Sequence, residues 1–281
     1  MLTDHASYRA GGHWVAEASG QLVGFVATQV EHSNSLPNPY GGIAVLLVSP
    51  QRQRQGIGTA LHEAALSHLK QMDIRQATLG GGGASRFWPG VPTNLPGARA
   101  FFETLDWKFS ETTYDLVRHL RDYQTPPAIA QQMAKEQIEI RAATANEVDE
   151  VLDFERREFP NWMREFQPKA LSGDFNDFLI ARDRRGIVGT LLLFTPQSRR
   201  LSANLIWKAL LGDDLGGLGA VGVAASERGR GIGLALVAWA SELLKSRGVG
   251  HSHIDWTGLI SFYGRLGYAP WREYHVSERE L

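Results

Sequence analysis

The chain has no cysteine among its 281 residues. That removes disulfides, thiolate metal sites and cysteine nucleophiles together, and it suits a reducing compartment. Neither charge is in excess: 29 Lys and Arg stand against 30 Asp and Glu, a formal net charge of −1. A near-neutral chain lacks the basic surplus that neutralises many phosphates, so nucleic acid is not an expected partner. Long apolar runs are missing too. The best candidate, 178–194, is interrupted by Arg182, Asp183, Arg184 and Arg185, so no membrane span is expected. Met1-Leu2-Thr3-Asp4-His5 has neither a basic start nor an apolar stretch behind it, and a cytoplasmic location is the expectation. The histidines show no metal spacing beyond His251-x-His253. Two ligands without a third are more often structural, so no metal is expected.

What is present is a repeat. Apolar residues make up 43% of the chain, enough for a sizeable core, and the length suggests two domains or one large one. Near residue 50 the sequence reads Val45-Leu46-Leu47-Val48, then Gln53-Arg54-Gln55-Gly56-Ile57-Gly58-Thr59. Near residue 225 it reads Ala220-Val221-Gly222-Val223, then Arg228-Gly229-Arg230-Gly231-Ile232-Gly233-Leu234. Each time an apolar run reads as a buried strand, a basic glycine turn follows, and an apolar-periodic helix begins, at about 55–71 and 230–246. Further on, Phe101-Phe102-Glu103-Thr104-Leu105-Asp106-Trp107 parallels Phe262-Tyr263-Gly264-Arg265-Leu266-Gly267-Tyr268. Gly56 and Gly231 are 175 positions apart, but here the offset has fallen to 161, so the first copy carries a 14-residue insertion that includes Gly80–Gly83 and Phe87–Gly90. The expected domains are 1–120 and 138–281, joined by a linker at 121–137. The second copy has room for an opening strand and two helices at 138–171. The first does not, so either it is abbreviated, as is expected, or its true start lies upstream.

A strand that ends in a glycine turn opening a helix suits a diphosphate. The first-turn N–H groups lack intrahelical partners, and the helix dipole adds positive potential. Glycine lets the backbone approach closely, and Arg228 and Arg230 add charge. Alone the pattern is weak, because a lone G-x-G before a helix is more often a tight connection than a ligand site. A dinucleotide fold would need a third glycine where Leu236 stands. A P-loop would need Gly-Lys-Ser/Thr, which is absent.

The turns Gln53-x-x-Gly56-Ile57-Gly58 and Arg228-x-x-Gly231-Ile232-Gly233 match the R/Q-x-x-G-x-G/A pyrophosphate motif. Together with the Phe262–Tyr268 stretch they make the chain resemble the GNAT acyltransferase superfamily, in particular its bacterial two-domain members such as mycothiol synthase and amino-sugar acetyltransferases. The resemblance implies an α/β (α+β) fold of two GNAT-like domains. Each would be a mixed, mostly antiparallel splayed sheet flanked by helices, the N-terminal copy abbreviated. It implies acetyl-CoA as donor, with backbone at Val221, Gly222 and Val223 along pantetheine and residues Arg228, Gly229, Arg230, Gly231, Ile232, Gly233 and Leu234 around the diphosphate. The same positions of the first copy are Leu46, Leu47 and Val48, with Gln53, Arg54, Gln55, Gly56, Ile57, Gly58 and Thr59. A bulge in the strand before the turn would leave an N–H free for a thioester oxyanion.

Amine acetylation also needs a proton acceptor for the ammonium and a proton donor for the departing thiolate. Tyr263 stands where the family's general acid is found; the alternative is a core aromatic. Asp255, at the end of the preceding strand, is the candidate base; its alternative is a turn cap. The first copy has Phe102 and Gly80 at these positions, so the second copy is the expected catalyst. Trp162, Trp207, Trp256 and Trp271 are candidate walls for a sugar ring, with Asp214 for hydroxyls or an ammonium; core packing explains the tryptophans equally well. The expected function is N-acetylation of a small-molecule primary amine, an amino sugar being favoured. A non-catalytic acyl-CoA sensor and a peptide acetyltransferase are the alternatives. Nothing in the residues specifies an oligomeric state.

Overall fold

A computed structural model describes residues 10–31, 40–80, 88–199 and 205–281. Met1–His5, Gly81–Gly83 and Phe87 therefore lie outside the described residues. The chain divides into two compact units, Met1–Thr113 with Arg272–Leu281, and Tyr114–Trp271.

In unit 1, strands β1 (His13–Ala18), β2 (Gln21–Glu31) and β3 (Tyr40–Val48) form an antiparallel run, and β3 pairs in parallel with β4 (Gln76–Leu79). Helix α1 (Ile57–Gln71) covers one face, burying Leu61, Ala65 and Leu69 against Val26, Val30 and Ile43. A two-residue strand β5 (Val91–Pro92), helix α2 (Pro96–Glu103) and strand β6 (Lys108–His119) follow. On the face away from α1, the registered row Val15–Phe25–Leu47 crosses β1, β2 and β3, with Val15 and Leu47 exposed. Among the described residues this unit has no counterpart of the opening strand and two helices of the second copy.

Unit 2 is the fuller copy. The order along its sheet is β6, β11 (His251–Thr257), β10 (Leu215–Val223), β9 (Gly186–Phe194), β8 (Phe178–Asp183) and β7 (Glu139–Ala142). All neighbours are antiparallel except β10 and β11. Helix α7 (Ile232–Ser246) is apolar nearly all round and is buried along most of its length, from Ile232 to Leu244. Helices α4 (Val148–Glu158) and α5 (Met163–Leu171) bury Val151, Phe154 and Phe166 with Phe178, Ile180 and Leu192 in a separate cluster. A short helix α6 (Lys208–Leu211) precedes β10, and α8 (Ile260–Gly264) follows β11. No helix among the described residues is long and apolar enough to cross a membrane.

Two features differ from the sequence expectation. Residues 121–137, expected as a linker, hold helix α3 (Pro127–Glu136), which opens on a proline, buries Met133 and ends at left-handed Gln137 (φ 55°). Proline is well placed at a helix start because its missing N–H is not needed there; ten residues with one strongly buried side chain give little periodicity to read. The second difference concerns the closing strands. Residues 114–119 of β6 pair with β11 in unit 2, whereas Arg272–Leu281, most of β12 (Ala269–Glu280), belongs to unit 1 and pairs with β4 and β5. Each copy's last strand completes the other's sheet. Two equivalent antiparallel strands satisfy the open edges of β4 and β11 in either arrangement, so local pattern does not choose between them.

Unit 1 carries an acid-sensitive contact. The imidazole of buried His62 accepts a hydrogen bond of 2.8 Å from the Trp107 indole N–H. Burial, reinforced by the Arg279 charge, lowers its pKa from 6.5 to about 4. The folded state thus favours the neutral ring: its contribution to stability is complete above about pH 6.5 and is lost as pH falls towards 4. The unfolding midpoint of unit 1 is expected to drop across that window, and His62→Gln to flatten the drop. Thermal unfolding followed by hydrogen exchange of unit 1 peptides measures it; equal slopes in the two proteins would refute the assignment.

Candidate active site

The site in unit 2 arises where two parallel strands part. Leu215, Gly216 and Gly217 of β10 pair with His251, Ser252 and His253 of β11, and pairing then stops although both strands continue. Beyond that point β10 is bulged against β9 between Gly219 and Gly222, with Ala220 at a left-handed φ of 48°. An unpaired, bulged strand edge presents free backbone groups to an extended ligand arm. Val221 and Val223 pack against the α7-side core, so a ligand would use their backbone.

Past β10 the turn has two left-handed glycines, Gly229 (φ 84°) and Gly231 (φ 81°), and Gly231 is the N-cap of α7 with no side-chain cap. The N–H groups of the first helical turn, at Ile232, Gly233 and Leu234, are the ones that helix geometry leaves without carbonyl partners. The side chains of Ile232 and Leu234 are core, so only their amides suit an anion. The helices start at Ile57 and Ile232, two residues later than the periodicity suggests, because Gly56 and Gly231 sit left-handed before them. The turn recurs in unit 1, with Arg54 (φ 62°) and Gly56 (φ 82°) left-handed. In both copies the first motif residue folds back on the strand end: Gln53 Nε2 donates to the Val48 carbonyl (3.1 Å) and Arg228 Nε to that of Val223 (3.3 Å).

Arg230 was expected to contribute charge to the diphosphate. Its guanidinium is instead paired with Glu136 of α3 (2.8 Å) and with Glu227, and Arg185 also reaches Glu227 (2.9 Å). The basic residue that sequence spacing offered to a ligand thus anchors the turn to α3.

Tyr263, on α8, is buried, and its pKa is pushed up to about 12, first by burial and then by the negative charge of Asp255. The hydroxyl of neighbouring Tyr268 is fixed by Ser241 and Ser252, both at 2.9 Å. The structure thus brings Asp255 and Tyr263 within electrostatic reach. Asp255 and Trp256 form a bulge of β11 opposite β6, with Trp256 left-handed (φ 51°) and its N–H donating to Asp115 Oδ1 (3.2 Å). Leu259 N–H bonds the Thr257 hydroxyl at 3.0 Å at the start of α8.

The aromatic candidates separate. Trp162 stacks on Phe159 (4.6 Å, 20°), and both lie over Gly222: a Cβ there would meet Phe159 at 2.5 Å and Trp162 at 2.9 Å. Trp207 and Trp271 meet edge to face at 5.3 Å, and Trp271 meets buried His253, the last residue before the strands part. Asp214 is not brought to this place. It precedes β10 at the opposite end from the parting, where it contacts His251 (3.5 Å) and its carbonyl accepts the Gly250 N–H. Among the described residues no group of three His, Asp or Glu could hold a metal ion.

Sequence reading missed Glu155, Thr190, Phe159 and Asp115. Glu155 is fully buried on α4; burial pushes its pKa up to about 8 against the opposing effect of its bond to Thr190. The available signal was an acidic residue one turn from Val151 on the apolar face of a helix.

In unit 1 the strands also part after Ile43 and Leu79, with a bulge at Ala44. There, however, the Trp88 indole N–H donates to the Ala44 carbonyl (3.0 Å), and Phe102 replaces the tyrosine.

Comparison with known proteins assigns the family. The profile of the Acetyltransferase (GNAT) family matches residues 1–105 and 145–268. The chain belongs to the GNAT acetyltransferase family. A mycothiol acetyltransferase of Mycolicibacterium gilvum is 28% identical over 243 residues, covering 80% of this chain and 70% of the relative. One from Saccharomonospora viridis is 40% identical over 78 residues, 26% of this chain; there the chain covers a quarter (25%) of the relative's length. Among solved structures, the glucosamine N-acetyltransferase region of a fungal multi-domain GH3 β-N-acetylglucosaminidase has a TM-score of 0.89 at 39% identity, covering 95% of this chain and 33% of that one. A tandem GNAT protein from the clavulanic acid biosynthesis pathway shares the fold, with a TM-score of 0.60 at 17% identity over 95% of this chain and 82% of its own.

Proposed function

We propose that the chain is an acetyl-CoA-dependent N-acetyltransferase acting on a primary amine of a small molecule, an amino sugar being the favoured acceptor, in a cytoplasmic setting. The observation that carries the reading is the parting of β10 and β11 after Gly217 and His253, with the glycine turn at the end of β10 and Tyr263 and Asp255 beside the gap. Backbone of Val221–Val223 would lie along the pantetheine arm, and first-turn amides of α7 would meet the diphosphate. The acceptor ammonium gives its proton to Asp255, directly or through water. The free amine attacks the thioester carbonyl, the bulge of β10 faces the developing oxyanion, and Tyr263 protonates the departing thiolate. Phe159–Trp162 and Trp207–Trp271 supply flat apolar surfaces suited to a sugar ring. The likeness to the fungal glucosamine N-acetyltransferase region and to the mycothiol acetyltransferases supports this acceptor class.

Unit 1 is read as non-catalytic, because Phe102 cannot donate a proton and Trp88 bonds the backbone at the bulge. A thiol-release assay with acetyl-CoA and a panel of amino sugars, other small amines and peptides tests the reading. Turnover of an amino sugar is expected. Silence on every small amine with activity on peptides would overturn the acceptor class; silence on all, with coenzyme binding retained, would favour a sensor.

A further inference from the structure

Glu155 is buried, belongs to neither the acid–base pair nor the coenzyme turn, and its Oε2 has no partner among the described residues. A buried carboxyl group is costly unless neutral and hydrogen-bonded, so its presence calls for an explanation. Its surroundings supply one. Glu155 lies one helical turn before Phe159, and its Oε1 is hydrogen-bonded to Oγ1 of Thr190 on β9. Thr190 pairs with Gly222, where the bulge of β10 ends. Gly222 is the residue on which the Phe159–Trp162 stack rests. The Glu155–Thr190 bond therefore fastens the C-terminal end of α4, and the stacked rings that follow it, to the sheet beside the parted edge.

We propose that Glu155, acting through Thr190, positions the Phe159–Trp162 wall of the acceptor site against Gly222. The proposal rests on unit 2 being the acetyltransferase, but it concerns a different group from those that move protons in the reaction. Glu155 acts here as a neutral acid. Burial raises its pKa to about 8 against the opposing effect of the Thr190 hydroxyl, so it holds its proton at neutral pH and loses it above that value. An anion in this apolar wall would draw water towards itself and loosen the contact. A proton acceptor in the reaction would need the charged form, and a positioning acid the neutral one. Glutamine has the shape of the neutral acid and cannot ionise, so it separates the two roles.

Steady-state kinetics on the full chain, with the amine found by the panel, provide the test. Glu155→Gln is expected to keep kcat and the acceptor KM within about threefold. Glu155→Ala and Thr190→Val, the latter close in volume, are expected to raise the acceptor KM about tenfold, the effect of one lost buried hydrogen bond, while kcat and the KM for acetyl-CoA stay within about threefold. The wild-type acceptor KM should climb as pH passes 8, and that of Glu155→Gln should stay level. A kcat collapse in Glu155→Gln, or an unchanged acceptor KM in both other variants, would overturn the proposal. If no amine is turned over, the positioning claim is tested by fluorine NMR of protein labelled with 5-fluorotryptophan, the Trp162 signal being assigned with Trp162→Phe. That signal should move with a midpoint near pH 8 in the wild type and stay fixed in Glu155→Gln; a wild-type signal indifferent to pH would refute it.

Discussion

Tyr263→Phe is expected to lower kcat at least about 100-fold, near 2.7 kcal/mol of transition-state stabilisation, with the KM for acetyl-CoA changed less than about threefold. The change removes one oxygen and keeps the ring, which packs edge-on against Phe262 (4.9 Å) and Tyr268 (6.3 Å). Folding should therefore be little affected. Burial and the Asp255 charge hold the phenol protonated up to about pH 12, so the donor is loaded at every ordinary assay pH. No alkaline fall of kcat from this group should appear below about pH 10, since a group titrates within a unit or two of its pKa. Stopped assays across pH, with coenzyme affinity measured separately, check both statements. A loss under fivefold would mean that solvent protonates the thiolate and that Tyr263 is a core aromatic.

Gly233→Asp is expected to weaken acetyl-CoA binding at least about 100-fold, through like-charge repulsion at the anion site, without destabilising the fold. The two effects part because they depend on different neighbours. A Cβ at Gly233 would sit 3.6 Å from Val223 and 3.7 Å from Phe262, ordinary contact distances. An acidic residue in the first turn of a helix favours the helix by about 0.3–1 kcal/mol. The melting temperature should hold or rise slightly while a carboxylate occupies the place meant for the diphosphate. Gly58→Asp, the same change in unit 1, should leave turnover in place; its Cβ would lie 3.3 Å from Phe101, so a small loss of stability is expected there. Calorimetric titration with acetyl-CoA and a thermal melt of each variant decide the matter. Equal binding by Gly233→Asp and the unaltered chain would show that the coenzyme does not use this turn.

Much of the fold was legible because it is local. The paired turns at Gly56 and Gly231 are visible in sequence since a left-handed N-cap and a close ligand approach both demand glycine. The strands and helices around them follow from periodicity. The features that escaped reading depend on distant residues. Arg230 looked free for a ligand because Glu136, which neutralises it, comes from α3, a helix hidden in an aperiodic segment. Asp214 looked available because the polarity of β10 relative to the gap is set by sheet order rather than by pattern. Glu155 was concealed in the charged run Glu155-Arg156-Arg157-Glu158, where only its alignment with Val151 distinguishes it from its solvated neighbours. The exchange of closing strands left no local trace, since the two strands have the same length of 12 residues and neither shows a regular alternation of buried and exposed positions.

Hydrogen–deuterium exchange on the full chain, with and without acetyl-CoA, tests the assignment of the donor site most directly. Slower exchange is expected at the amides of 221–223 on the open edge of β10 and at 229–234 around the head of α7. Unchanged exchange in both segments, with protection appearing elsewhere in unit 2, would contradict the account.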